Sequence, residues 1–424
     1  MEILLMVVVA LVMLAIGVPI GIALCSGLLA LSFAFGTIDV SFISQAMYTG
    51  QESLPILAVP CFMLAGDLMQ RGGLTERLVN IAKSFVGHTA GGLGDVTVLA
   101  SMFFGAISGS APATTSAIGG NMIPAMVKEA HYEHGYATGL AAVAGSLGII
   151  IPPSIPFVVY ASATSSSVGD LFIAGVLPGI IIGVVMMIVH TIQAKRRGYV
   201  DKKPRVNWAG RLKAIKDGFW AVLMPIIILG GIYSGVFTPT EASVVSVAYG
   251  IVVGIFIYRN LTWKDVWDLT LQTATKIGGF MLAYAPAACL GSTLILLGVT
   301  SKLSGLLLGI SHNIYVILFI VVIILMIGGM FLDTTSNIVV FGPILYSVLT
   351  PLGVDPVHLG VIMIVCLAVG FVTPPVCMNV FVASNMTGLS MERIVKPVIP
   401  QIIALFFTCV LIAFVPGISL LLVS

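Results

Sequence analysis

Charge is what this sequence has least of. The chain of 424 residues carries 19 basic and 17 acidic side chains, 8% of the total, where soluble proteins carry roughly 25%. So few charges cannot cover a water-soluble surface of this size, which excludes an ordinary soluble enzyme. A net charge of +2 is too small to attract nucleic acid. Catalytic signatures are missing as well: there is no HExxH, no Walker motif, no phosphate-cradling glycine loop and no nucleophile–base pair. Cys25, Cys61, Cys289, Cys366, Cys377 and Cys409 form no CxxC or Cys/His spacing and read as inert thiols in apolar runs. The chain offers instead 58% hydrophobic residues with 46 glycines and 19 methionines, at a mean hydropathy of +1.13. At about 20 residues per span this is enough for roughly ten crossings. The fold class is an all-α polytopic membrane protein. The opening MEILLMVVVALVMLAIGVP has no basic stretch or A-x-A site, so it reads as a membrane helix and not as a cleaved leader.

Hydropathy divides the chain into two halves, 1–194 and 217–424, around a linker at 195–216. Nine basic residues fall there (Lys195, Arg196, Arg197, Lys202, Lys203, Arg205, Arg211, Lys213, Lys216), which makes the linker cytoplasmic by the positive-inside rule. The halves repeat. A shift of 222 places Gly148 on Gly370, Pro152-Pro153 on Pro374-Pro375 and Pro178 on Pro400, and a shift of 220 places Thr114-Thr115-Ser116 on Thr334-Thr335-Ser336. Five crossings per half put Arg71, Arg77, Lys83, Lys128, Arg259, Lys264, Arg393 and Lys396 beside the linker, leaving Lys302 opposite. An odd number of crossings makes the repeat inverted, with both termini outside, the usual construction of a secondary transporter.

Two paired features carry the chemistry. ASMFFGAISGSAPATTSAIGGNMIP (100–124) and IGGMFLDTTSNIVVFGP (327–343) are too small and hydroxyl-rich to face lipid, yet too apolar for solvent. Each suits a re-entrant hairpin, over 91–130 with its tip at 108–115 and over 303–350, because irregular backbone at membrane depth survives only inside protein or beside a polar cavity. Packing through small residues is the plainer alternative. Next to each hairpin a double proline interrupts an apolar span, over 135–165 and 356–386. Consecutive prolines remove two backbone donors, so nearby carbonyls lose their helical partners. Freed carbonyls facing hydroxyls make an oxygen cage for a hard cation such as Na⁺, while half-helix N-termini favour an anion.

Asp333 stands out as an ionisable group within the membrane, where it could ligate a cation, relay a proton or orient a hairpin tip; at the shift of 220 its counterpart is Ala113. Asn379 follows the second break by four residues and would face the same cavity. Glu241 reads as a helix N-terminal charge, and Glu52, Asp67 and Asp170 as interfacial. His131 and His134 have no supporting metal ligands. With no ATP-binding motif, transport would run on an ion gradient.

At GSAPATTSAIG, the IPPS and TPP breaks and LAGDLMQRGGL (64–74), the chain resembles the large membrane subunit, DctM-like, of the tripartite ATP-independent periplasmic (TRAP) transporters. The likeness runs along essentially the whole chain. It implies an elevator-type fold of scaffold and transport domains in a bacterial inner membrane. It also implies sodium-driven import of an organic acid such as a C4-dicarboxylate, sialic acid or sugar acid. Partners implied are a small four-helix membrane subunit and a periplasmic binding protein. Two or more Na⁺ ions would be coupled, with no organic cofactor. One Na⁺ site would use Ser108, Ser110, Gly148 and Ile151; the other would use Gly328, Asp333, Gly370 and Thr373. The substrate would lie near Thr114, Ser154, Thr335 and Asn379. Polar stretches at 39–50 and 259–271 would be the arms joining scaffold to transport domain. A stand-alone Na⁺/carboxylate symporter of the divalent-anion type is the alternative within transport. A polytopic membrane enzyme lacks the necessary residues.

Overall fold

The computed structural model describes residues 2–199, 205–299, 302–303, 305, 309 and 311–423. Lys202 and Lys203 of the linker, and positions 304, 306–308 and 310 of the expected second hairpin region, lie outside the described residues. The first half begins with α1 (Glu2–Ala15), α2 (Ile20–Phe35), α3 (Val40–Gln51), α4 (Ala58–Arg71) and α5 (Leu74–Val86). A helical hairpin follows, α6 (Gly92–Ser108) and α7 (Ala111–Glu129), then a broken helix, α8 (His134–Gly145), α9 (Leu147–Ile150) and α10 (Ile155–Thr164), and last α11 (Val168–Arg197). The second half runs α12 (Trp208–Asp217), α13 (Phe219–Tyr233), α14 (Pro239–Val252) and α15 (Trp263–Leu296). After these come the hairpin α16 (Ile314–Phe331) and α17 (Thr334–Leu349), the broken pair α18 (Pro356–Gly370) and α19 (Met378–Thr387), and α20 (Met391–Val395), α21 (Ile399–Phe414) and α22 (Gly417–Leu420).

Among the described residues there is no strand. Six helices there are long and apolar enough to cross a membrane, or nine spans if each of three bent pairs counts once. The order of elements recurs: Gly92 and Ile314, Ala111 and Thr334, His134 and Pro356, Ile155 and Met378, and Val168 and Met391 start corresponding helices, 222 or 223 positions apart.

Burial explains which helices sit at the centre. In α8 every residue from Gly135 to Gly145 is buried, and in α18 every residue from His358 to Gly370. A helix apolar on all sides needs neighbours on all sides, and each of these two leads into a double proline. Outward faces carry exposed apolar side chains such as Leu11, Phe33 and Phe407, as suits contact with lipid tails.

Two expected boundaries differ. The polar stretch at 259–271 does not stand apart from the next span: α15 runs unbroken for 34 residues. Thr262 starts it with a capping box to Asp265, and no proline falls between Trp263 and Ala285 to stop it. Its counterpart bends by 59° between α3 and the segment from Leu54, where Pro55 interrupts the helix. The linker also contributes structure at both ends. α11 extends to Arg197, and in α12 Arg211 is buried, donating Nε to Ser84 O at 3.3 Å and lying over the Phe85 and Trp208 rings.

Candidate functional site: two hairpin tips against two broken helices

The first hairpin turns on two residues. α6 ends at Gly109, whose φ of +59° is open to glycine, and whose N–H donates back to Gly105 O at 3.1 Å. Ser110 then caps α7, its Oγ accepting from Ala113 N at 3.5 Å. Four residues past the cap, Thr114 Oγ1 donates to Ser110 O at 2.8 Å and pairs with Ser108 Oγ at 2.9 Å. The tip abuts the break in mid-span: Ile155 N, past the double proline, donates to Gly109 O at 3.3 Å. Gly148 completes the contact, because a Cβ there would stand 2.3 Å from Thr114 Oγ1 and 2.6 Å from Ser110 O.

The structure thus brings Ser108, Ser110, Thr114 and Gly148 together. Ser154 lies beside them, with Gly109 against its Cα and its Oγ donating to Ile149 O at 2.6 Å. Ile151 is turned elsewhere, its side chain packing on Gly179 of α11.

The second hairpin follows the same plan with different groups. Asp333 caps α17, accepting from Ser336 N at 3.1 Å and Ser336 Oγ at 2.5 Å. Four residues on, Asn337 Nδ2 lies 3.0 to 3.1 Å from the carbonyls of Gly328, Leu332 and Asp333. Val376 N, just past the second double proline, donates to Met330 O at 3.2 Å. These caps correct the expected register: the counterpart of Asp333 is Ser110 and not Ala113, since the two hold the same capping position. Gly329, not Gly328, meets Gly370, where a Cβ would stand 2.7 Å from Gly329 Cα; Gly328 faces Asn337 instead. Thr373 is half-buried, with Oγ1 on Val369 O at 2.8 Å, and Thr335 is half-buried on the first turn of α17.

Asn379 connects the two modules. It is fully buried, and its Nδ2 donates to Ala142 O of α8 at 3.3 Å. Thr115 Oγ1, Thr334 Oγ1, Asn337 Oδ1 and Asn379 Oδ1 are buried without a hydrogen-bond partner. Thr75 Oγ1, Ser101 Oγ, Thr350 Oγ1 and Gln401 Oε1, away from the tips, are left so too; a water or an ion is the usual partner of such oxygens.

Two cavities hold corresponding places in the halves, one at the first hairpin tip and one beside the middle of α17. A third, of about 480 Å³, lies against Pro374 and Pro375, edged by Glu392 and Lys396. The first, of about 350 Å³, lies between Gly66, Asp67 and Gln70 of α4, Ser108, Ser110 and Ser116 of the first hairpin, and Lys276 of α15. Thr114, Ser154 and Asn379 are almost wholly buried and lie outside its lining. The second, of about 190 Å³, is edged by Thr49, Ser53, Ser162, Tyr284 and Ser292. Gly66 and Gln70 in one correspond at 222 positions to Ala288 and Ser292 in the other.

Several polar residues that pattern reading passed over prove well placed. Asp95 is 3% exposed, hydrogen-bonded by Thr89 Oγ1 at 2.5 Å and Thr191 Oγ1 at 3.3 Å, and it is more deeply buried than Asp333. His190 joins Gly91 O at 2.9 Å and Tyr136 Oη at 2.8 Å, fastening the base of the first hairpin to α11. Asp67, read from the sequence as interfacial, forms an ion pair with Lys276 at 2.8 Å.

Comparison with known proteins agrees with this geometry. The family described as "Tripartite ATP-independent periplasmic transporter, DctM component" matches residues 7–418. The isethionate TRAP transporter permease protein DctMQ of Oleidesulfovibrio alaskensis is 37% identical over 407 residues, covering 96% of this chain and 64% of that protein. The C4-dicarboxylate TRAP transporter large permease protein DctM of Pseudomonas aeruginosa is 36% identical, covering 91% and 90%. The sialic acid TRAP transporter large permease protein SiaM of Vibrio cholerae is 34% identical, covering 96% and 95%. Among solved structures, the Alcanivorax borkumensis YdaH transporter shares the fold, with a TM-score of 0.66 at 13% identity over 92% of this chain and 89% of that one. The chain belongs to the family of DctM components of tripartite ATP-independent periplasmic transporters.

Proposed function

We propose that the chain is the large permease subunit of a sodium-driven importer of a small organic acid in a bacterial inner membrane. A small membrane subunit and a periplasmic binding protein would complete it. The observation that carries the reading is the twin module: a polar hairpin tip set against a double-proline break, twice, at constant spacing. Such breaks inside a repeated helical fold are where secondary transporters hold ions and substrate. Sodium suits the oxygens available, because Thr115 Oγ1, Thr334 Oγ1 and Asn337 Oδ1 are buried acceptors beside the tips without partners, and hard cations take oxygen ligands. Ser110, Thr114 and Gly148 would border one ion, and Asp333, Asn337 and Gly370 the other. Relatives named for isethionate, C4-dicarboxylate and sialic acid support an anionic substrate. The hairpins and broken helices would move together as the transport domain, past a scaffold that includes α1 to α4 and α13 to α15. The repeat would be inverted, with both termini on the periplasmic side.

Reconstitution tests this. Liposomes holding the chain with its small subunit should take up a labelled organic acid from a panel only when the binding protein and an inward sodium gradient are both present. Uptake by the chain alone would overturn the tripartite reading in favour of a stand-alone symporter. Undiminished uptake with potassium in place of sodium would overturn the coupling.

A further inference from the structure

Lys276 occupies an unusual place for a basic residue in this chain. α15 spans Trp263 to Leu296, and Lys276 stands thirteen positions from its start and twenty from its end, about 20 Å and 30 Å along the axis. The other basic residues of the six long apolar helices lie within five positions of an end. A cation set within an apolar helix costs free energy unless it is paired or hydrated, and by default it signals function. Its partner is Asp67 on α4: Nζ lies 3.0 Å from Oδ1 and 2.8 Å from Oδ2, and Thr273 Oγ1 donates to the same carboxylate at 2.7 Å. Asp67 lies one turn from the Arg71 end of α4, so the pair sits toward that end of the bundle. The burden is unequal, with the Asp67 side chain 16% exposed and that of Lys276 51%. The carboxylate is enclosed, and the ammonium is presented to the 350 Å³ cavity beside the hydroxyls of Ser108, Ser110 and Ser116.

An ammonium has three N–H groups. Two are used on Asp67, so one remains for a guest. Asp67 aims the ammonium, and the pair is cheaper than a lone charge among apolar helices. The cavity at the corresponding place of the second half, about 190 Å³, is edged among the described residues by hydroxyls alone at its polar positions, among them Ser53, Ser162 and Tyr284.

We propose that Lys276, clamped by Asp67 across the cavity from the first hairpin tip, receives the carboxylate of the transported acid, so that substrate is taken up where the scaffold faces the first hairpin, before the hairpins carry it. This rests on the organic-acid importer reading above. The experiment therefore begins with the wild-type complex in liposomes and a panel of succinate, sialic acid and isethionate. If none is taken up, the importer reading and this one fail together; uptake of any one of them allows the two to be separated. Lys276→Met should then raise the KM for the transported acid about tenfold or more, the loss expected of a charge-assisted hydrogen bond, and Lys276→Arg should recover most of it. An unchanged KM in Lys276→Met overturns the proposal and leaves the importer reading intact.

The exchange Asp67→Lys with Lys276→Asp restores the ion pair but moves the cation. A purely structural bridge predicts restored uptake, which would overturn the proposal; a carboxylate-binding Lys276 predicts continued failure in a folded protein. If the variants do not fold, the wild type gives the answer through trinitrobenzenesulfonate labelling of Lys276, read by mass spectrometry. The transported acid should protect Lys276 and glycerol should not, and equal labelling with and without the acid overturns the assignment.

Discussion

The two hairpin modules share a plan and differ in the groups that fill it. Each tip is closed by a capping side chain, each has a residue four positions later bonded to the cap's carbonyl, and each receives a backbone N–H from beyond a double proline. In the first module the cap is a neutral serine, the follower is Thr114, and the adjoining cavity contains an ion pair. In the second the cap is Asp333, the follower is Asn337, and the corresponding cavity is lined at its polar positions by hydroxyls alone. Charge therefore sits in the tip itself in the second module, and beside the tip, in the wall of the cavity it faces, in the first. A repeat can keep its architecture through backbone hydrogen bonds while its polar side chains specialise for different guests.

The largest effect should come from the glycines that let tip and break touch, and it should differ between modules. A Cβ at Gly370 would meet only backbone, at 2.7 Å from Gly329 Cα and 2.8 Å from Met326 O. Backbone on both sides cannot yield as a side chain can, so Gly370→Ala should cost about 3 kcal/mol or more and abolish uptake. At Gly148 the nearest obstacle is the Thr114 side chain, with Ser110 O behind it at 2.6 Å. Gly148→Ala should therefore be partly rescued by Thr114→Ala, whereas no single truncation rescues Gly370→Ala. Thermal unfolding in detergent measures both. Equal behaviour of the two glycines would mean that the modules pack alike after all.

The second effect concerns charge at the caps. Asp333→Ser gives the second hairpin the cap of the first. Serine and aspartate cap about equally well, so the melting temperature should hardly move. If the carboxylate also serves sodium, the sodium concentration for half-maximal uptake should rise about tenfold, the size of one charge-assisted contact. Unchanged sodium dependence would reduce Asp333 to a cap, and the difference between the modules would be structural only.

How much of this was legible depended on whether partners lie close in sequence. Double prolines, hydroxyl-rich tips and the spacing between halves are local patterns; the helices break at Pro152-Pro153 and Pro374-Pro375, and the first hairpin turns at Gly109–Ser110. The register of Asp333 is hidden in the sequence because Thr-Thr-Ser recurs at 220 while the caps align at 223, nearly one helical turn apart. Only the hydrogen bonds from Ala113 N and Ser336 N reveal which residues close each helix. The Lys276–Asp67 pair joins residues 209 positions apart, and the His190 contact with Gly91 spans 99. A lone polar residue in an apolar run carries no sign of whether it has such a partner.

The smallest effect should be at Thr115, whose Oγ1 is buried without a partner. It faces α8 so closely that a Cβ on Gly145 would stand 1.9 Å from it. Thr115→Val keeps the shape and removes the hydroxyl. A buried hydroxyl with nothing to bond costs about 1 kcal/mol or more, so the variant should unfold at a slightly higher temperature. Were that the whole story, uptake would be untouched and Thr115 would be a flaw in packing. An oxygen kept at such a cost beside a tip that pairs most of its other polar atoms is better explained by use, so the half-maximal sodium concentration should rise about threefold, less than for Asp333→Ser because a neutral ligand contributes less than a charged one. Titrating sodium in the uptake assay against the melting curve separates the outcomes. Greater stability with weaker sodium dependence makes the first module an ion site built from neutral oxygens, beside a second built around a carboxylate; greater stability with sodium dependence unchanged leaves ion binding to the second module alone.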